Sequence, residues 1–412
     1  MTLRDSGTRC QLSRIALPIS VRKLADVTSA IAVNGPITAS PSRVDWLALA
    51  RELGPGFAAR AAAYDANDSF PEENYRELKE HRFFSAGVPI ELGGGGASHR
   101  ELCAMLRELG RHCGATALAF SMHTHLVGTT VWLWRQGAPV APLLQRIAAE
   151  QLVLVTNGAS DWLDSSGAAE RVDGGYRVTA RKTFSSGSPM GDLLLTSALY
   201  DDPKDRPTVL YFAVPLKAPG VKVLDTWRTM AMRASGSNDI MLDGLFVPDS
   251  AVSSRRPKGV WAPIFNVIAA IAAPVLTSVY LGVAEAARDL ALQKIAKKRN
   301  DADVWYLVGE MENELVTGQM AVEGMIDLCA DYEFVPDIAT ANALFIRKTI
   351  ASESLLFAVE KALETVGGGG IFRSMGLERL VRDMHAAQFH PMQPKRQHRF
   401  TGRAALGLDP AG

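Results

Sequence analysis

The chain changes its periodicity twice. From residue 41 to about 150, apolar residues recur at helical spacing. Phe70-Pro71-Glu72 opens a helix with Tyr75, Leu78 and Phe83 near one face, running on until just before Gly87. A loop follows, from Val88-Pro89 through Gly93-Gly94-Gly95-Gly96. Ser98-His99-Arg100-Glu101 is a capping box, and behind it Leu102, Met105, Leu106 and Leu109 make a core stripe. Ala115 to Gln136 is a further helix, rich in large apolar residues. From 151 to 252 the helical period gives way to short strands. Two alternating runs flank Asp173-Gly174-Gly175, a hairpin signal with Tyr176, Val178 and Ala180 on one face and Arg177, Thr179 and Arg181 on the other. Leu193 to Tyr200, Thr208 to Val214 and Val221 to Leu224 are runs of strand length. From 253 to 412 helical spacing returns, over Gly259 to Arg299, Asp303 to Asp331, Asp337 to Thr365 and Gln393 to Leu406, with Gly367 to Gly370 stopping the third run. The expected fold is multidomain α+β: a helical N-terminal domain at 41–150, a middle β-barrel at 151–252, and a C-terminal bundle of four antiparallel helices at 253–412.

Residues 1–40 read as a separate, disordered extension. Met1 to Lys23 holds four Arg and one Lys against one Asp, without the long apolar region of a secretory signal. A transit peptide or an overcalled start site are the other readings. Gly259 to Ala284 is 26 residues without a charge, long enough to span a bilayer. Pro263, Asn266 and Pro274 interrupt it and a charged amphipathic stretch continues it, so it reads as a buried helix of a soluble protein. A formal net charge of +0, with no basic stripe, argues against nucleic acid as a partner. Cys10, Cys103, Cys113 and Cys329 are widely spaced, which fits buried thiols in a cytoplasmic, reducing setting rather than disulfides or zinc. His123 and His125, two apart on a helix, face nearly opposite ways and do not chelate one metal. Either is a packed or surface histidine, or one of them looks into a cavity.

The candidate chemistry lies in the hairpin region. Val155-Thr156-Asn157-Gly158-Ala159-Ser160-Asp161 leaves the end of one strand, and Lys182-Thr183-Phe184-Ser185-Ser186-Gly187 leaves another. These are either two ordinary polar turns or a cradle of hydroxyls, amides and a ring for a flat heterocycle. In this order they resemble two motifs of the acyl-CoA dehydrogenase superfamily, V-T-E-P-G-x-G-S-D and K-x-W-I-T-N. Met232-Arg233-Ala234-Ser235-Gly236-Ser237 resembles the family's G-x-R-x-S-x-S/T, and Glu364-Thr365-Val366-Gly367-Gly368-Gly369-Gly370 its Q-x-x-G-G-x-G, followed by Arg382-Asp383. The resemblance covers roughly residues 42–407.

It implies one flavin per subunit, FAD before FMN. Thr156, Ser160, Phe184 and Ser186 would lie against the isoalloxazine, and Gly367, Gly368 and Gly370 would let backbone approach the dinucleotide of a neighbouring subunit. Glu364 where the family prefers Gln, and Arg299 alone where it has R-x-x-F-G, weaken that dinucleotide contact. The implied reaction is α,β-dehydrogenation of an acyl-CoA or related thioester, with electrons passed to an electron-transfer flavoprotein. The family's catalytic Glu is missing: Pro391 stands at its position, and Ile268 to Pro274, the other place where relatives carry it, holds no carboxylate. His390 is the nearest titratable group and the candidate base. Some proteins of the same fold are two-component monooxygenases that take reduced flavin from a separate reductase and oxygenate a phenol, thioether or amine. They lack the Glu and have histidines near the flavin, as His123 or His125 with His390 would be. A non-catalytic flavin-binding subunit is the third reading. A homodimer or homotetramer is expected, because the uncharged helix is hard to cover within one subunit.

Overall fold

A computed structural model describes residues 44–412 except 159, 160, 162, 204, 205, 299 and 411. The expected extension at 1–40, the cofactor residue Ser160 and Arg299 lie outside the described residues. Five helices come first: α1 (Trp46–Ala66), α2 (Glu72–Glu80), α3 (His99–His112), α4 (Gly114–Arg135) and α5 (Ala141–Glu150). The capping box forms as read: Ser98 Oγ accepts from Glu101 N–H at 3.3 Å, and Ser98 N–H donates to Glu101 Oε2 at 2.8 Å. Helix α2 ends earlier than its spacing predicts. Arg82 takes φ 61°, which no helix continues through, and Phe83 begins a separate 3₁₀ turn.

Eight strands follow: β1 (Leu154–Thr156), β2 (Ala168–Val172), β3 (Gly175–Ser185), β4 (Leu193–Tyr200), β5 (Thr208–Pro215), β6 (Val221–Val223), β7 (Asn238–Pro248) and β8 (Val252–Pro257). They form one sheet in the order β6-β7-β3-β2-β4-β5-β8, with β1 parallel to β4. The hairpin closes with Val172 opposite Gly175, and β3 alternates as read, with Tyr176, Val178, Ala180 and Lys182 buried and the residues between them exposed. The β3–β7 register slips between Lys182 and Ser185. Within that bulge Phe184 takes φ 61°. Thr183 and Phe184 are thus exposed in succession, and the strand's alternation breaks at the motif.

The C-terminal layer is α6 (Pro263–Lys294), α7 (Ala302–Cys329), α8 (Ile338–Val366), α9 (Leu377–His385) and α10 (Pro394–Ala405). Helix α6 is long and apolar enough to cross a membrane by length and composition, but 94% of its most apolar window is buried inside the protein. It packs on α3, α4, α7, α8 and α9 and is the central post of the molecule. Helix α9 is a fifth member that the four-helix reading lacked. It is short, but Leu377, Leu380, Val381 and Met384 give it one apolar face. Cys103, Cys113 and Cys329 are free and buried. Among the described residues no cluster of metal-ligating side chains occurs.

Candidate active site

The two strand-end loops lie side by side, since Gly158 N–H donates to Thr183 O at 3.0 Å. The first is clamped from below. Lys182 points inward from β3, is 0% exposed, and donates to Asp161 Oδ2 at 2.6 Å and Ser166 O at 2.7 Å. The same carboxylate accepts from Asn157 Nδ2 at 2.8 Å, and Asn157 Oδ1 accepts from Thr196 Oγ1 at 2.6 Å. Burial pulls the Lys182 pKa down and the Asp161 charge pulls it back up; burial prevails. Thr156 stands half-buried at the end of β1, just ahead of this clamp.

The second loop carries Phe184 and Ser186. The bulge turns the Phe184 ring outward, 60% exposed, with the Trp227 ring edge-on to it at 5.7 Å. Ser186 Oγ is 2.7 Å from Ser237 Oγ, which is 2.7 Å from Ser235 Oγ, so the serines of two separate motifs meet. Ser185 Oγ is buried without a partner. An exposed ring, a serine chain and an orphaned hydroxyl suit a flat heterocycle with polar edges, and a flavin fits that donor set.

The Arg382-Asp383 pair grips the loop beneath Trp227. Arg382 Nη1 donates to Met230 O at 2.8 Å, and Asp383 Oδ1 accepts from Met232 N–H at 2.5 Å. Met232 O in turn accepts from Trp227 Nε1 at 3.0 Å. Burial raises the Asp383 pKa to about 6, against the opposing effect of the Met232 hydrogen bond.

A closed cavity of about 10 Å³, room for a single water, lies between α6, α8 and the turn after α9. Helix α6 gives it Ala273, Leu276, Thr277 and Tyr280, α8 gives Lys348, and the turn gives Ala387, His390 and Pro391. His390 Nε2 and Tyr280 Oη are 2.6 Å apart. Lys348 Nζ donates to the carbonyls of His390 at 2.9 Å and Met392 at 3.3 Å. His390 reaches the surface at one edge, but its ring sits in protein. Burial, then the nearby Lys348 and His125, press its pKa down to about 3. Burial likewise lowers Lys348 to about 8 and raises the Tyr280 phenol.

Of the sequence-derived residues, Thr156, Phe184 and Ser186 share one rim. Phe184 is linked through Trp227 and Met232 to Asp383, whose charge is felt at Tyr280, the hydrogen-bond partner of His390. Gly367, Gly368 and Gly370 do not join them: they follow α8 about 28 Å beyond Lys348. Among the described residues nothing lies within 4 Å of where a side chain would stand on Gly367 or Gly368, so these two positions are open. Glu364 beside it pairs with Lys361 at 2.9 Å, which offsets its charge. His123 is structural: Nε2 meets Phe84 O at 2.7 Å, and Nδ1 accepts from Leu154 N–H at 2.9 Å. His125 is buried on the other face of α4, hydrogen-bonded to Ser121 O and near enough to act on His390. Lys348 was not singled out in the sequence. Its signal was there, since a lysine falls on the buried stripe Ala341, Leu344, Phe345, Lys348, Ser352 and Leu355.

Three family models match the chain in order: the acyl-CoA dehydrogenase N-terminal domain over residues 49–149, the middle domain over 156–245 and the C-terminal domain over 274–394. The chain belongs to the acyl-CoA dehydrogenase family. It is 28% identical over 370 residues to the amino sugar nitrososynthase DnmZ of Streptomyces peucetius, covering 86% of this chain and 91% of that one. It is 27% identical over 369 residues to the putative acyl-CoA dehydrogenase YdbM of Bacillus subtilis, covering 84% and 92%. Among solved structures it superposes on KijD3 in complex with FMN and dTDP-3-amino-2,3,6-trideoxy-4-keto-3-methyl-D-glucose, with TM-score 0.81 and 25% identity over 90% of this chain and 95% of that one. The protein is therefore an acyl-CoA dehydrogenase-fold flavoprotein whose relatives divide between dehydrogenation and oxygenation.

Proposed function

We propose that this protein is the oxygenase component of a two-component flavin monooxygenase, which receives reduced flavin from a separate reductase and transfers one oxygen atom to a small electron-rich substrate. The observation that carries the reading is the make-up of the cavity: Thr277, Tyr280, His390 and Lys348 are its polar residues, and no carboxylate is among its lining residues. Thioester dehydrogenation needs a base matched to the working pH. A histidine held near pKa 3 is a poor one. The same histidine serves well as a neutral donor. If Tyr280 donates to Nε2, the His390 proton sits on Nδ1; if Nε2 carries the proton and donates to Tyr280, the phenol proton is free. In either tautomer one donor remains for an oxygen atom in the cavity. Ala273, Leu276 and Ala387 keep the surroundings apolar, which strengthens that hydrogen bond and excludes water.

The bound flavin, once reduced, supplies the activation of O₂. Phe184, Trp227, Thr156 and Ser186 would hold its ring system. The relatives that work on amino sugars support a nucleophilic heteroatom as the site of attack. The open Gly367 and Gly368 positions would leave room for an adenine-bearing tail from a neighbouring subunit, which supports FAD over FMN.

The test has two arms. Oxidised holoprotein mixed anaerobically with saturated acyl-CoAs should keep its flavin absorbance. Protein mixed with reduced flavin and then with oxygen should show a transient absorbance unlike either reduced or oxidised flavin. Bleaching by any acyl-CoA without added reductant overturns the proposal and restores the dehydrogenase reading.

A further inference from the structure

Asp383 is 5% exposed on α9 and makes no ion pair among the described residues, although Arg379 and Arg382 stand just before it on the same helix. Arg382 gives its guanidinium to Asp65 and Glu378 instead, at 2.6 Å each. The Asp383 carboxylate accepts from one backbone amide, Met232 N–H, 151 residues earlier in the chain. Burying a carboxylate without an ion-pair partner is costly. Docking of α9 on the 227–232 loop does not require it, because Arg382 already donates to Met230 O at 2.8 Å.

The amide that Asp383 holds belongs to a junction. Met232 is 1% exposed and left-handed, at φ 51° and ψ 39°, a conformation that a methionine keeps only where its surroundings fix it. Its carbonyl accepts from two sides, from Trp227 Nε1 at 3.0 Å and from Ser235 N–H at 2.9 Å. The first bond holds the ring that stands edge-on to Phe184. The second closes the turn at 233–235, whose Ser235 O accepts from Gly187 N–H at 3.0 Å and whose hydroxyl meets Ser237 and, through it, Ser186. The ring wall and the hydroxyl wall of the cradle thus hang from one residue.

We propose that Asp383 is a positioning residue for the flavin: through the left-handed Met232 it sets the Trp227 ring against Phe184 and aligns the Ser235, Ser237 and Ser186 hydroxyls. This goes beyond the proposed function and needs only that the cradle takes a flavin, whichever reaction follows.

The test titrates full-length apoprotein with FAD and with FMN, read by flavin fluorescence, and records the visible circular dichroism of the saturated protein. Asp383→Ala should weaken flavin binding roughly ten- to a hundredfold. It should also change the dichroism of the bound flavin at saturation, because the ring then sits differently. Asp383→Asn, which keeps an acceptor for Met232 N–H, should restore both. Trp227→Phe keeps a ring but loses the indole donor, so it should weaken binding too, and the double variant Asp383→Ala, Trp227→Phe should bind no more weakly than Asp383→Ala alone. In wild type, flavin should slow hydrogen exchange in peptides covering 225–237 and 377–385 and leave α7 unchanged, a measurement that needs no variant to fold. A wild-type dichroism spectrum in saturated Asp383→Ala overturns the proposal and marks Asp383 as a prop alone. Losses that multiply in the double variant, Asp383→Asn binding as weakly as Asp383→Ala, or wild-type exchange at 225–237 indifferent to flavin also overturn it. All of these leave the oxygenase reading standing, whereas wild-type protein that binds neither flavin removes both.

Discussion

Lys182→Met removes the cation under the Thr156 loop while keeping most of the side-chain volume. The Asp161 carboxylate then stays inside the sheet with Asn157 Nδ2 and Ser166 Oγ as its remaining side-chain donors, at 2.8 and 3.2 Å. Breaking a buried ion pair by deleting one member costs about 3–5 kcal/mol, against roughly 1 kcal/mol or less for an exposed pair. With Lys182 at 0% exposure the larger figure applies, a factor of roughly 10² to 4 × 10³ in the population of the opened state. Unfolding of a chain of this size is not one transition, so the measurement should be local. Hydrogen exchange of peptides covering 154–185 should accelerate by that factor, with peptides from α7 and α8 unchanged. The double variant Lys182→Met, Asp161→Asn should recover part of the loss, because neither charge is then stranded. Flavin affinity should follow the same order. Exchange at the wild-type rate in Lys182→Met, or single-variant losses that simply add in the double variant, would refute the argument.

Three further outcomes are expected. Asp383 has its folded pKa raised from 3.8 to about 6, so the stability it contributes is complete below the unfolded value and is lost as pH rises through the folded one. The local opening free energy around Asp383, read by hydrogen exchange corrected for its intrinsic pH dependence, should therefore decline between pH 4 and 6 by about 3 kcal/mol, and Asp383→Asn, which keeps an acceptor for Met232 N–H, should flatten that decline. Phe184→Ala should weaken flavin binding by roughly tenfold through the lost ring contact, read by fluorescence titration, with the melting temperature nearly unchanged because the ring is 60% exposed. Trp305, Tyr306 and Met320 on α7, with Phe357 on α8, are large exposed apolar groups, and light scattering should give a dimer or tetramer rather than a monomer.

Periodicity alone reached most of the secondary structure. The Leu193–Tyr200 strand, the hairpin and the capping box all form where simple alternation and capping place them, because each is decided by neighbours in sequence. What failed was decided at a distance or by a single residue. Arg82 ends α2 by turning left-handed, and its amino-acid type does not announce that. Helix α9 was hidden behind the glycine run because nine residues give little periodicity to read. The two strand-end loops that carry Thr156, Phe184 and Ser186 were legible as neighbours because motif order reflects strand ends. Lys182 and Lys348 were not recognised as buried, although each stands in phase with an apolar stripe. A charged residue on a core stripe was the signal in both cases, and its partners, Asp161 in one and two backbone carbonyls in the other, come from parts of the chain that only the fold brings near.

The His123 contacts bear on how a substrate gets in. A single imidazole takes the amide proton of Leu154 at the root of the first site loop and ties it to α4 and to the turn at Phe84. With Lys182 fastening the far end, the Thr156 wall is a fixed abutment, held at both ends. The opposite wall hangs differently. Residues 386–392 cross from α9 to α10 with Lys348 as a tether, and their Phe389 side chain stands out in solvent. Passage into the cavity should therefore be a hinge on one jamb, with the frame on the flavin side staying still. A spin label placed near Phe389 should move on ligand binding, while one on the β2–β3 hairpin keeps its distance to α4.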